Sequence, residues 1–557
     1  MSHRNGRVTV FRNGAIFTGL PASPWSDAVA VRDGVVAAVG GLSVSNLQDE
    51  AGALEVVDLR GGLLAPGFID AHAHPIMGGL EKLRCDLSDL TTAAAYAERI
   101  AGYAADHPAD AWIIGGGWSM EAFPRGVPTC AVLDEIVPDR PAYFPNRDHH
   151  SSWVNTKALE AAGISAITPD PIGGRIERDE HGIPTGCLHE SAMGLVEAIL
   201  PAATESELDD ALQTAQEHFH SLGIVGWQDA AVWTGQGGSL SLHAAYLRAQ
   251  ERGTLTARVT GALWWERGTP YDQVAAEVVR LCDLRAQTLR DSRYRATSVK
   301  IMQDGVLETY TAALLEPYLD GCGCPTPNTG ISFLEPELLR LVVGELDRHG
   351  FDLHFHALGD RAVREVLDAI EQARRTCPLS DGRHHLAHLQ LVSADDLARL
   401  RRLRLTANLQ PLWARHDPQV DLLTTPFIGT ERGEEQYPFG DFARHGVALA
   451  MGSDWPVSSA DPIAGIHVAV NRIAYGRDSA PLGLRQGLTL ASSLSAYTAG
   501  SAYLNRIEKT SGVISEGMAA DLVVLSENPF DAPASEIGRA RVRHTYVDGR
   551  LVYDADS

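Results

Sequence analysis

Between Phe68 and Ser453 the chain repeats one pattern eight times: a short apolar run followed by a longer amphipathic stretch. The first run ends in Phe68-Ile69-Asp70-Ala71-His72-Ala73-His74, and the others are expected at Ile224–Ala230, Arg258–Trp265, Ser298–Gln303, Phe351–Ala357, His384–Leu391, Arg404–Gln410 and Val447–Ser453. Apolar runs of this length suit strands buried on both faces. Helical patterns separate several of them, at Glu205–Ser221, Glu335–His349, Arg361–Thr376 and Ala394–Leu403. Strands alternating with helices build parallel sheets, and eight such units close into a (β/α)8 TIM-like barrel. The expected fold class is therefore α/β.

The two ends of the chain have a different texture. Short strands with turns are expected at Arg7–Phe11, Ala15–Phe17, Ala28–Arg32, Val35–Val39 and Glu55–Asp58, and again at Ala520–Leu525, Val542–Val547 and Leu551–Tyr553. Neither end alone has strands enough for a sheet, so residues 1–65 and 510–557 are expected to pair into one small β-sandwich domain beside a barrel spanning 66–509. A Pro- and Gly-rich region at about 80–200 interrupts the alternation after the first strand. It is too long for a loop and is expected to be an inserted subdomain or lid.

A formal charge of −24 argues against nucleic acid or an anionic membrane as the main partner. No apolar run reaches the ~18 residues a membrane span needs. Met1-Ser2-His3-Arg4 leads into strand-like Val8–Phe11 rather than an apolar signal segment, so a cytoplasmic location is the default expectation. Seven cysteines in 557 residues are no disulfide framework, and Cys322-Gly323-Cys324 sits in a Gly/Pro-rich loop.

In such barrels the chemistry sits where strands end, and here those ends are rich in metal-binding types. His72 and His74 project side by side from an extended strand, where neutral imidazoles can grip one divalent cation. Lys300 lies inside Thr297-Ser298-Val299-Lys300-Ile301-Met302, in a chain with only four lysines among its 47 basic residues. Unlike arginine, a desolvated lysine can lose its proton. The neutral amine can then take up CO2 to give a carbamate (N6-carboxylysine) able to bridge two metals; the alternative is a lysine paired with a carboxylate such as Asp304. His354-Phe355-His356, His384-His385-Leu386-Ala387-His388 and Gly452-Ser453-Asp454-Trp455-Pro456 end the fifth, sixth and eighth runs. A metal held there lowers the pKa of bound water and polarises a carbonyl, and Asp454 can accept that water's proton and pass it to a leaving nitrogen.

These motifs resemble the amidohydrolase superfamily, in its amidohydrolase-3 group of YtcJ-like proteins and N-substituted formamide deformylases. Pro66-Gly67-Phe68-Ile69-Asp70-Ala71-His72-Ala73-His74 is similar to the first-strand signature; Val299–Gly305, His356–Ala362, His388-Leu389-Gln390 and Gly452–Pro456 are similar to those of the fourth, fifth, sixth and eighth strands. In the inserted region, His150-Ser151 and Val154–Leu159 resemble the group, as does Gly517–Leu525 near the end. The resemblance implies His72, His74, Lys300, His356 and His388 as ligands of one or two divalent ions, zinc before manganese or iron, with Asp454 as catalytic base and further ligand. It leaves His354, His384 and His385 as neighbours, gives His150 a place over the pocket against the substrate carbonyl, and implies a homodimer.

Trp233, Trp264, Trp265, Trp413 and Trp455 lie near expected strand ends, and the insertion adds Trp118, Phe123 and Trp153. Together they favour a pocket for an apolar substituent. The expected activity is metal-dependent hydrolysis of a small-molecule amide, first among them an N-substituted formamide. Opening of a cyclic amide, imide or carbamate is the alternative, and a catalytically weak regulatory metal-binding protein is the alternative from another class.

Overall fold

The eight apolar runs hydrogen-bond into one parallel sheet in a computed structural model that describes residues 7–49, 53–235, 241–288 and 292–557. Its strands are β1 (Phe68–Ala73), β2 (Ile224–Val232), β3 (Arg258–Trp264), β4 (Tyr294–Met302), β5 (Asp352–Ala357), β6 (His385–His388), β7 (Thr406–Leu409) and β8 (Ala448–Met451). Each pairs in parallel with the next, in chain order. All residues of β1, β2, β5, β6 and β7 are buried, as strands covered on both faces require.

The sheet meets itself at the carboxyl ends of β1 and β8. Asp454 N donates to His72 O (2.7 Å) and His74 N to Trp455 O (2.8 Å). The buried Asp70 side chain ties the same seam, accepting from His72 N and Ser453 N, each at 3.0 Å. Gly452 makes this closeness possible: a Cβ there would lie 2.4 Å from His72 N and 2.7 Å from His72 Cβ. The flanking helices start where their sequences carry caps. Before the helix Glu205–Ser221, Thr204 Oγ1 accepts from Glu207 N (3.2 Å) while Glu207 Oε2 accepts from Thr204 N (2.6 Å), a reciprocal capping box.

Strands from both ends of the chain share a second sheet. Leu63–Pro66, which runs straight into β1 through Gly67, pairs on one side with Ala15–Phe17 and on the other with Leu522–Leu525. A four-stranded sheet built on Arg7–Arg12 faces it across a core that includes Phe11, Val29, Leu64, Leu522 and Val524. Arg258, at the start of β3, ties the barrel to this layer through Asp521 (Nε–Oδ2 2.7 Å) and Asp548.

The interrupting region forms a six-stranded sheet from Cys85–Asp86 through Pro184–Glu190. Trp118, Phe123 and Trp153 pack against one another in its own core. They serve the insertion's stability rather than the pocket expected of them. Among the described residues no helix is long and apolar enough to cross a membrane.

Candidate metal centre

Four side chains from three strand ends converge on one point. Asp454 Oδ1 lies 3.2 Å from His72 Nε2 and 3.0 Å from His74 Nε2, and Asp454 Oδ2 lies 3.9 Å from His388 Nδ1. One donor atom each from His72, His388 and Asp454 falls within a mutual distance of 4.8 Å. Yet His72 Nε2, His388 Nδ1 and Asp454 Oδ1 are buried without any hydrogen-bond partner in the structure. Buried polar atoms are normally paired, so a close group of unpaired ones with their lone pairs turned inward is the arrangement a divalent cation satisfies. His388 and Asp454 both hold left-handed backbone, at φ 77° and 58°. For residues other than glycine this costs free energy and concentrates at working sites.

The electrostatics agree with that use. Burial pushes His72 down to about 3, so its imidazole is neutral at physiological pH. Burial also holds His388 well below the usual histidine range. Burial alone would raise Asp454, but the His72 and His74 rings beside it more than offset that and keep the carboxyl well below its ordinary value. The site thus offers neutral nitrogens and an ionised oxygen.

Lys300 and His356 border this group from β4 and β5. Lys300 is buried, and desolvation pushes its ammonium down to about 7, with Asp454 and Asp229 only partly opposing. Among the described residues no carboxylate lies within ion-pair distance of it. Asp304, the partner weighed from the sequence, is occupied otherwise: it accepts from Leu358 N (3.0 Å), Gly359 N (2.8 Å) and Ala313 N (2.9 Å), stapling the loops after β4 and β5. The His356 ring packs 4.5 Å from that of His388, with burial holding it well below the ordinary histidine value.

The insertion delivers one more ring. His150 precedes the strand Ser151–Val154, and its imidazole lies 5.6 Å from that of His356. His150 Nδ1 donates to Glu190 Oε1 at 2.7 Å. Burial works against the charge, but the Glu190 carboxylate outweighs it and lifts His150 to about 9. Thr311 Oγ1 also donates to Glu190 Oε1 (3.1 Å), so a residue after β4 secures the pair. Gly305 leaves the room for this, since a Cβ there would lie 2.7 Å from Glu190 Oε1.

A cavity of about 500 Å³ opens over these strand ends. Trp413, Trp455, Val306, Leu358 and Leu412 form its apolar wall, with Arg147, Asp148, Glu308 and Arg415 among the charged groups of the remainder. The Trp413 ring lies parallel to that of His388, 5.0 Å away at 2°, fixing the histidine's plane. Of the tryptophans expected at the pocket, Trp413 and Trp455 reach it, whereas Trp265 is buried in the barrel core and Trp233 packs near Trp264.

Three contacts have no signature in the sequence. His354 Nε2 lies 2.8 Å from His72 Nδ1. Asp229, on β2, accepts from Tyr246 Oη (2.7 Å), and its charge acts on both His74 and Lys300. Glu190 supports His150 from a separate strand of the insertion. His384 and His385 are held elsewhere, by Asp347 (2.9 Å) and Gln228 (2.9 Å).

The family model described as "Amidohydrolase family" matches residues 55–553. YtcJ of Bacillus subtilis (strain 168) is 31% identical over 98% of this chain and 99% of its own length. The N-substituted formamide deformylase of Arthrobacter pascens is 27% identical over 90% of each chain. Among solved structures, an uncharacterized metal-dependent hydrolase from Pyrococcus furiosus is similar with a TM-score of 0.70 and 25% identity, covering 94% of this chain and 99% of that one. The chain belongs to the amidohydrolase family and is a metal-dependent hydrolase of carbon–nitrogen bonds.

Proposed function

We propose that the protein hydrolyses amides carrying an apolar N-substituent, with N-substituted formamides first among them. The observation that carries the reading is the convergence of unpaired buried atoms on His72, His388 and Asp454, directly beside the apolar wall of Trp413, Trp455 and Leu358. The likeness to a formamide deformylase supports the choice of acyl group.

His72, His74 and Asp454 would hold one cation, zinc in the first instance, with His388 completing its shell. His356 and Lys300, the lysine as N6-carboxylysine, would offer further ligands should a second cation bind beside it. When bound, the cation supplies Lewis acidity toward water and the amide carbonyl. The chain's own residues do the rest. Asp454, kept ionised, accepts the water's proton and returns it to the departing nitrogen. His150, kept protonated by Glu190, donates a hydrogen bond to the carbonyl oxygen as negative charge develops there. Trp413 holds His388 in plane and, with Trp455, excludes water around the N-substituent.

The test is direct. Purified protein is analysed for Zn, Mn and Fe, and amine release is followed for N-benzylformamide, N-benzylacetamide and a six-membered cyclic imide. Fastest release from the formamide supports the proposal. Preference for the imide transfers the machinery to ring opening, and no hydrolysis of any of them by the metal-loaded protein overturns it.

A further inference from the structure

The interior of a (β/α)8 barrel is ordinarily filled by branched apolar side chains in layers. Here one layer is polar. His354 on β5 stands in register between Lys300 on β4 and His385 on β6, and all three are buried. The His354 ring lies 4.6 Å from that of His72 and 4.5 Å from that of His385. The contact with His72 is a direct hydrogen bond between ring nitrogens, His354 Nε2 to His72 Nδ1 at 2.8 Å. Such a bond needs one donor and one acceptor, so it couples the tautomers of the two rings.

The coupling has a direction once a cation is considered. If His354 donates, the His72 proton sits on Nε2, among the converging lone pairs, where Asp454 Oδ1 at 3.2 Å is too poorly aligned to accept it. If His354 accepts, the His72 proton sits on Nδ1 and Nε2 presents its lone pair beside Asp454. Without a cation each choice leaves one buried ring N–H unpaired, because His354 Nδ1 also has no partner. A cation at His72 Nε2 is compatible only with the second.

We propose that His354 is a positioning residue that accepts the Nδ1 proton of His72 and so aims the His72 Nε2 lone pair at the metal. It rests on the reading of His72 as a metal ligand. An acceptor on a ligand's far nitrogen fixes ring orientation and raises ligand basicity, and losing one typically weakens metal binding ~10–100-fold.

Two variants of similar polarity separate this role from mere packing. In His354→Gln the amide oxygen reaches about where Nε2 stood and can accept from His72. In His354→Asn the amide stops near the Nδ1 position and cannot. Zinc affinity is measured on full-length apoprotein by competition with a chromogenic chelator, the visible spectrum of the cobalt-loaded protein reports ligand geometry, and melting of the apoproteins in EDTA controls for folding. The expected result is zinc affinity within ~3-fold of wild type for His354→Gln and ~10–100-fold weaker for His354→Asn, with a changed cobalt spectrum only in the latter. Equal affinities for the two variants, whether both unchanged or both weakened, overturn the proposal. A wild-type protein that binds neither zinc nor cobalt overturns instead the reading of His72 as a ligand, and is recognised by that.

Discussion

Replacing Lys300 by methionine is expected to stabilise the metal-free protein, by an amount that depends on pH in a defined way. The folded chain holds this ammonium at about 7 against an ordinary value of 10.5 because it is buried. At ~1.36 kcal/mol per pKa unit, that gap corresponds to roughly 4–5 kcal/mol of stability forgone wherever the unfolded chain keeps the proton. The folded state binds fewer protons than the unfolded state between about pH 7 and pH 10.5, so wild-type stability rises with pH across that window. Below pH 7 the full deficit is present, and above 10.5 both states are neutral and it vanishes. Lys300→Met removes the titrating group and places an apolar chain in the same buried space. It should exceed wild type by about 3–4 kcal/mol at pH 7, and the margin should shrink by most of that amount at pH 10. Urea unfolding in EDTA and CO2-free buffer at pH 7, 8.5 and 10 reads the difference. A margin that is constant across pH, or a variant less stable than wild type at pH 7, would refute the argument that burial depresses this lysine's proton affinity.

Asp454→Asn should lower turnover by ~10²–10⁴ while the protein still binds metal through its histidines, as judged by metal analysis beside the rate; unchanged turnover removes Asp454 from the base role. The His150–Glu190 pair gives a second pH signature. With folded His150 lifted to about 9, its contribution to stability is complete below 6.5 and fades as pH rises through 9. Glu190→Gln should move the alkaline limb of kcat/KM from near pH 9 to below about 7, and a limb that stays in place separates Glu190 from His150. Gly452→Ala must push a methyl group against the His72 backbone, so the melting point of the apoprotein should fall by an amount equivalent to at least ~1–3 kcal/mol. A variant that melts like wild type would show that the β1–β8 seam has slack.

Much of the barrel is legible from local pattern alone. Period-two placement puts His72 and His74 on one face, and both reach Asp454 as that spacing requires. Val35–Val39, Val542–Val547 and Glu205–Ser221 form over the residues their periodicity and caps indicate. What local pattern cannot carry is a partner distant in the chain. His354 meets His72 across 282 residues, and Glu190 meets His150 across 40 through a strand pairing inside the insertion. Asp304 misleads for a related reason. Its nearness to Lys300 in sequence suggests an ion pair, but the strand turns it to the loop amides of Ala313, Leu358 and Gly359, which satisfy it without a cation. The aromatic residues divide by the element they pack in: the insertion needs Trp118, Phe123 and Trp153 for a core of its own, leaving Trp413 and Trp455 for the cavity.

The strand that launches β1 is clasped by residues synthesised some 450 positions later, because Leu63–Pro66 pairs with Leu522–Leu525. His72 and His74 are translated early, yet the strand leading into them gains this neighbour only once Leu522–Leu525 exist. A chain cut short before Leu522 would leave that strand with Ala15–Phe17 as its remaining neighbour, so the start of the strand carrying His72 would be braced from one side fewer.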